Sequence, residues 1–203
     1  MTVKRTKTGE VRFTFCHLAE PYAFDETQQK KYSVNILIDK KDSKTLRAIE
    51  SNYKQALVRG VEQFGQSFQR KATPLERVPG TDKGLLIDCD EDDRYNENAD
   101  YKGKWMLALK SKNAPDVLIR KPGMKALIKL TPDQIKEDVY SGCYGKVTLN
   151  FYPYNKIATG IAGGLGNVFK TKDGDFLGGR VSGATDFADE LDQEYEESSD
   201  DLF

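Results

Sequence analysis

The stretch "SGCYGKVTLNFYPYN", residues 141–155, decides the fold. Successive side chains of a strand point to opposite sides. Val147, Leu149 and Phe151 therefore share one face, and Tyr144, Lys146, Thr148, Asn150 and Tyr152 share the other. Tyr154 follows just after Pro153. One face is a core stripe. The other mixes rings, a cation and small polar groups. Tyr and Lys also alternate on many solvated strands, so this face needs support from the rest of the chain.

The neighbouring segments supply it. "IATGIAGGLGNVFKTKDGDFLGGR", 157–180, is rich in glycine, which marks places where the backbone turns or lies close to something, with a tight turn expected at Lys172-Asp173-Gly174. In "VRFTFCH", 11–17, Val11, Phe13 and Phe15 alternate with Arg12, Thr14 and Cys16. In "KYSVNILI", 31–38, Tyr32, Val34, Ile36 and Ile38 take one face. In "YKGKWMLALKSK", 101–112, Trp105, Leu107 and Leu109 oppose Lys104, Met106, Ala108, Lys110 and Lys112. Period two with aromatic and branched residues predicts half-buried strands. "GLLIDCD", "DVLIR" and "KALIKL" predict shorter ones.

Residues 42–65 differ. Leu46, Ile49, Tyr53, Leu57, Gly60 and Phe64 recur at spacings of three and four, which predicts one amphipathic helix capped by Asp42 or Ser43 and closed near Gly65. Residues 66–83 read as a loop, 90–100 as an acidic loop, and 132–139 as a single helical turn. Many short strands, one principal helix and frequent glycine turns suggest a small antiparallel barrel.

Composition narrows the function. Nothing resembles a run of about 18 apolar residues, so no membrane span is expected. The basic start "MTVKRTKTGEV" lacks the apolar segment of a secretory signal. Cys16, Cys89 and Cys143 form no Cys-x-x-Cys pair, which fits a reducing cytoplasm better than a disulfide framework. The net charge of −1 hides a division: nine acidic residues and no Lys or Arg lie in 186–203, leaving the other 185 residues with 31 basic against 23 acidic, a net of +8. A basic body with an acidic tail suggests a polyanionic partner and a built-in competitor.

Catalytic signatures are sparse. One histidine, His17, cannot build a His-rich metal site, and the glycines of "GIAGGLGNV" match neither a dinucleotide fingerprint nor a phosphate loop. Asp88, Asp90 and Asp92 have the 1, 3, 5 spacing of a calcium loop, but Asp93 stands where the sharp turn needs Gly and Ala99 where a bidentate Glu belongs. No cofactor, metal ligand or catalytic residue is expected. A metal-dependent nuclease using those three carboxylates and a structural virion component are the rival readings.

Binding chemistry is better represented. Lys104, Lys110, Lys112 and Lys146 would meet phosphates, and Tyr144, Tyr152 and Tyr154 would stack bases. Trp105 is a fourth candidate ring, although its parity places it with the core. Cations that release counterions beside rings that stack without regard to sequence are what single-stranded nucleic acid calls for.

These segments in order, with "GEVRFTFCHLAEPYAF" and "KYSVNILIDKKD" ahead of them and "DFADE" after, resemble a family of single-stranded DNA-binding proteins of tailed phages. The likeness runs over about residues 9–190, and an ordered run of motifs is more specific than any one glycine pattern. It implies an OB-fold barrel with one principal inserted helix and extended loops over 1–184, and a disordered acidic tail over 185–203. It also implies binding of single-stranded DNA without sequence preference, a role in phage replication or recombination in the cytoplasm of the infected host, and no catalysis. In such proteins an acidic tail with an aromatic end recruits replication partners and competes with DNA, an arrangement matched here by Asp200, Asp201, Leu202 and Phe203. Self-association or cooperative binding along DNA stays open. The resemblance leads one to expect a polar residue where this chain has Gly166.

Overall fold

A computed structural model describes residues 5–156 and 158–177. The acidic tail, its Asp200–Phe203 tip and the expected boundary near 184 lie outside these residues. Along the chain run β1 (Thr6–Lys7), β2 (Val11–Tyr22), β3 (Lys31–Asp39), α1 (Ser43–Phe64), α2 (Ser67–Lys71) and β4 (Leu86–Asp88). Then follow β5 (Lys104–Ser111), β6 (Val117–Ile119), β7 (Ile128–Lys129), α3 (Pro132–Asp138), β8 (Tyr144–Asn155) and β9 (Thr159–Lys172).

Five strands form a closed circuit. β2 pairs with β3, β3 with β5, β5 with β9, β9 with β8, and β8 returns to β2. Every pairing is antiparallel except β5 with β9, which meet in parallel at Lys110 and Gly164. This is the barrel-like sheet of an OB-fold. β4 lies against β5, and the β6–β7 hairpin extends β9. Inside, Phe13, Val34, Ile36, Ile38, Leu107, Leu109, Leu149 and Phe151 are fully buried. Each such side chain contributes about 1.5–3 kcal/mol on leaving water.

The 141–155 reading holds in detail: along β8 the buried positions are Gly145, Val147, Leu149 and Phe151. The 11–17 reading needs one correction. Val11 and Phe13 point inward, but a register shift between Thr14 and His17 adds a residue to β2. Phe15 sits in that bulge with φ +51° and is 50% exposed, and Leu18 takes the next inward place. A bulge re-aims side chains without marking the sequence.

Helix α1 forms as expected. Asp42 accepts a hydrogen bond from the Thr45 amide at 3.0 Å, and Gly65 closes the helix at φ +83°. Its deepest line is Thr45, Ile49, Asn52, Ala56 and Gly60, with Leu46, Tyr53 and Leu57 beside it. Phe64, expected on the buried face, is partly exposed and lies 5.5 Å from Phe68. Phe68 belongs to α2, within the region read as loop, and fills the space above Gly60 so fully that a Cβ there would lie 2.1 Å from its ring. The small residues let α1 lie close to β8. Asn52 accepts from the Phe151 amide at 2.9 Å and donates to Thr6 Oγ1 at 3.0 Å, and Arg59 donates to the Phe151 carbonyl at 2.9 Å. The helix thus satisfies the backbone groups of Phe151 on the edge of β8 turned away from β9.

The acidic segment packs on the outside of the barrel. Cys89, Tyr101 and Leu177 join Leu37 and Met106 in a second buried cluster. Leu37 and Met106 are cross-strand partners of β3 and β5, so this cluster covers one end of the outer β3–β5 face. The Tyr101 and Thr14 hydroxyls, 3.0 Å apart, tie it to β2.

Gly166 lies within β9, where a Cβ would stand 2.3 Å from Thr148 Oγ1 and 2.7 Å from the Thr148 carbonyl oxygen. Thr148 Oγ1 in turn accepts from the Asn167 amide at 2.7 Å. A polar side chain at 166 has no room. Gly166→Ser should therefore lower the unfolding free energy by about 1–3 kcal/mol in urea melts, the usual cost of overpacking.

Candidate nucleic-acid interface

The outer face of the barrel is open where the acidic segment stops. Register places His17, Ser33, Lys110, Gly164 and Asn150 in one row across β2, β3, β5, β9 and β8. The next row, Thr14, Asn35 and Ala108, leads under the acidic segment, where Thr14 is buried against Tyr101. The middle of this surface is small or polar: Ser33, Asn35, Ala108 and Gly164. Large rings stand at its sides. On the β2 side Tyr22 stacks on His17, centroids 4.3 Å apart and planes 10° from parallel, with Phe15 at the bulge and Phe24 in the following loop, 91% exposed. On the β8 side Tyr152 and Tyr154 are exposed and pair with Ala162 and Gly160. Because β9 carries small residues there, the tyrosines have no tall cross-strand neighbour.

Burial pushes the Tyr152 phenol above its ordinary pKa, with Tyr154 adding to the shift. Burial pushes His17 below its ordinary value, so it is neutral near pH 7. Both groups thus present uncharged rings. The charge on this face comes from lysines. Lys110 and Lys112 are exposed at the end of β5, and no ion pair involves either among the described residues.

The predicted residues divide. Lys110, Lys112, Tyr152 and Tyr154 frame the open face, and Lys146 continues it along β8 opposite Phe169. Lys104 begins β5 at its far end, about 20 Å from Lys110 at the usual rise per residue. Its ammonium sits 2.7 Å from the Asp39 carboxylate. Trp105 packs against the core, as its parity indicated, with the Lys40 ammonium 5.4 Å from its ring centre. Tyr144 stands at the start of β8 with Lys172 and Arg12 at 4.5 and 5.6 Å from its ring centre. Phe15, His17, Tyr22 and Phe24 were not among the expected DNA contacts, and Phe15 was read with the core stripe of 11–17. The available signal was "EPYAFDETQQKK", 20–31, which sets two rings beside a polar turn between strands.

The carboxylates of the nuclease reading are engaged elsewhere. Asp88 and Asp90 both hold Lys40, at 2.5 and 2.6 Å. Asp92 pairs with Arg94 at 2.7 Å and Arg77 at 2.9 Å, and its hydrogen bonds to Arg94 hold its pKa at about 2. Among the described residues no three His, Cys, Asp or Glu side chains converge as a metal site. No helix among them is long and apolar enough to cross a membrane.

Comparison with known proteins bears on the fold and the family. The chain is 27% identical over 186 residues to putative protein p50 of Acyrthosiphon pisum secondary endosymbiont phage 1, covering 91% of this chain and 93% of that one. Its fold matches the single-stranded DNA-binding protein of bacteriophage Enc34, solved in complex with ssDNA, with a TM-score of 0.64 at 24% identity over 85% of this chain and 88% of that one. It also matches a single-stranded DNA-binding protein encoded by bacteriophage T7, with a TM-score of 0.53 at 18% identity over 92% of this chain and 94% of the other. The family model described as "Enterobacter phage Enc34, ssDNA-binding protein" spans residues 4–202. With nearly every residue inside that match, the chain belongs to the Enc34 phage ssDNA-binding protein family.

Proposed function

We propose that this chain binds single-stranded DNA without sequence preference and holds it unpaired during phage replication or recombination in the host cytoplasm. The observation that carries this reading is the open face itself, with small residues in the middle, rings at both sides and lysines at the end of β5. A duplex presents its bases edge-on inside grooves, whereas a single strand exposes base faces that rings can stack on. The role is passive: the chain protects the strand and performs no chemistry on it.

The acidic tail fits this role as a competitor. Its nine carboxylates stand against a body of net +8 and can occupy the same cationic surface weakly, leaving when DNA arrives. Charge does not account for Leu202 and Phe203. An apolar pair that follows two acids suits a basic-rimmed apolar pocket on a replication or recombination partner.

Three measurements test the reading. Tyr152→Ala should weaken binding to oligothymidine and oligocytidine alike, by about 1–3 kcal/mol in fluorescence anisotropy titrations. Affinity should fall with salt at a log–log slope of about −0.7 for each phosphate neutralised, and a flat salt profile would sink the phosphate contacts. Deleting 186–203 should tighten binding most at low salt, whereas Phe203→Ala should leave DNA affinity unchanged and abolish capture of the partner. Equal effects of the deletion and the point change on DNA affinity would overturn that division of roles.

A further inference from the structure

The hairpin formed by β6 and β7 encloses, with the outer face of β8 and β9, a cavity of about 620 Å³. Such a volume lies within the roughly 300–1,000 Å³ of small-molecule sites. Arg120 and Lys121 line it from the hairpin, Lys146 from β8, and Phe169 from β9. Lys146 and Phe169 are cross-strand partners, so a cation and a ring stand side by side on its floor. Met124, 52% exposed at the hairpin tip, forms part of its wall. The one carboxylate present, Glu10, is already engaged: Lys172 lies 2.9 Å from one oxygen and Thr171 donates to the other at 2.7 Å. Three cations therefore face the cavity against one neutralised acid. The other large cavity has the opposite character. At about 480 Å³, it is lined by Asp82, Asp88, Glu91, Asp92 and Asp93 against Arg77 and Arg94, and would repel a phosphate.

Position adds to composition. β9 runs from Gly164, beside Lys110, to Phe169, beside Leu118 of the hairpin. Lys110, Lys112, Arg120 and Lys121 thus mark a line of cations from the open face to the cavity. Successive strand residues advance by about 3.3 Å, so the five steps from Gly164 to Phe169 cover about 17 Å, the reach of a few nucleotides.

Resting on the single-strand reading above, the geometry points to a second DNA subsite under the β6–β7 hairpin. It takes one nucleotide unit of the strand leaving the open face. Arg120, Lys121 and Lys146 hold its phosphates, Phe169 supports its base, and flexible Met124 closes over it. The hairpin extends the footprint of the barrel and does not create the primary contact.

The experiment uses the full chain and two oligothymidines, about 4 and about 16 nucleotides long, the limits of site sizes for one such fold. Arg120→Glu combined with Lys121→Glu alters two exposed side chains, so the thermal melt should not move. The short oligomer should bind the double variant as it binds the parent. The long one should bind at least about tenfold more weakly, with a salt slope shallower by about 1.4, the loss of two phosphate contacts. Phe169→Ala should likewise weaken the long oligomer by about tenfold and spare the short one. A fluorophore on Met124→Cys should respond to the long oligomer alone. Unchanged affinity for the long oligomer, or equal loss for both lengths, would overturn the subsite while leaving the open face intact. Failure of the parent chain to bind either length would instead remove the single-strand reading, and the subsite with it.

Discussion

Barrel closure depends on the close contact between β8 and β9. Their antiparallel pairing runs from Tyr144–Lys172 to Asn155–Thr159 and brings the last strand back to β2 through β8. The contact is tight on both faces. Inside, a Cβ on Gly145 would meet the Phe13 ring and the Phe169 carbonyl oxygen, each at 2.4 Å. Outside, Asn150, Thr148 and Tyr154 occupy the space that side chains at Gly164, Gly166 and Gly160 would need. The glycines of β9 are thus neither a phosphate loop nor a flexible hinge. Gly160, Gly164 and Gly166 are the missing half of a packing arrangement whose other half is on β8, and Gly163 makes room for β5.

The same packing makes the candidate interface. A strand with side chains on both faces would bury the outer surface of β8 between neighbours. With glycine and alanine opposite, Tyr152 and Tyr154 stay accessible while their backbones are fixed by the sheet. Helix α1 fixes the same strand from its other edge through Asn52 and Arg59. The acidic segment then limits the open area, because its cluster around Tyr101 and Met106 covers one end of β3–β5.

Much of this was legible in the sequence, for identifiable reasons. Strands 31–38, 101–112 and 144–155 and helix 42–65 announce themselves because burial on one face imposes a strict period. Asp42 and Gly65 mark the helix ends by chemistry that few other residues supply. What escaped depends on contacts between distant segments. The bulge at Phe15 adds one residue with no local sign and turns a core residue into a surface ring. Lys104 reads like Lys110 on a strand diagram, yet register sets it against Asp39. Gly166 resembles a loop glycine until Thr148 is seen to fill its place.

The position of Trp105 has a practical side. It is the single tryptophan of the chain, and it lies against the core beneath the Lys40 ammonium, away from the open face. Its intrinsic emission is consequently a gauge of barrel integrity and a poor gauge of ligand occupancy. With DNA on the proposed face, quenching titrations on the unaltered chain would report little even at saturation. An indole introduced at Phe24, the most exposed ring of the described surface, would turn the same instrument into a sensor of the candidate interface.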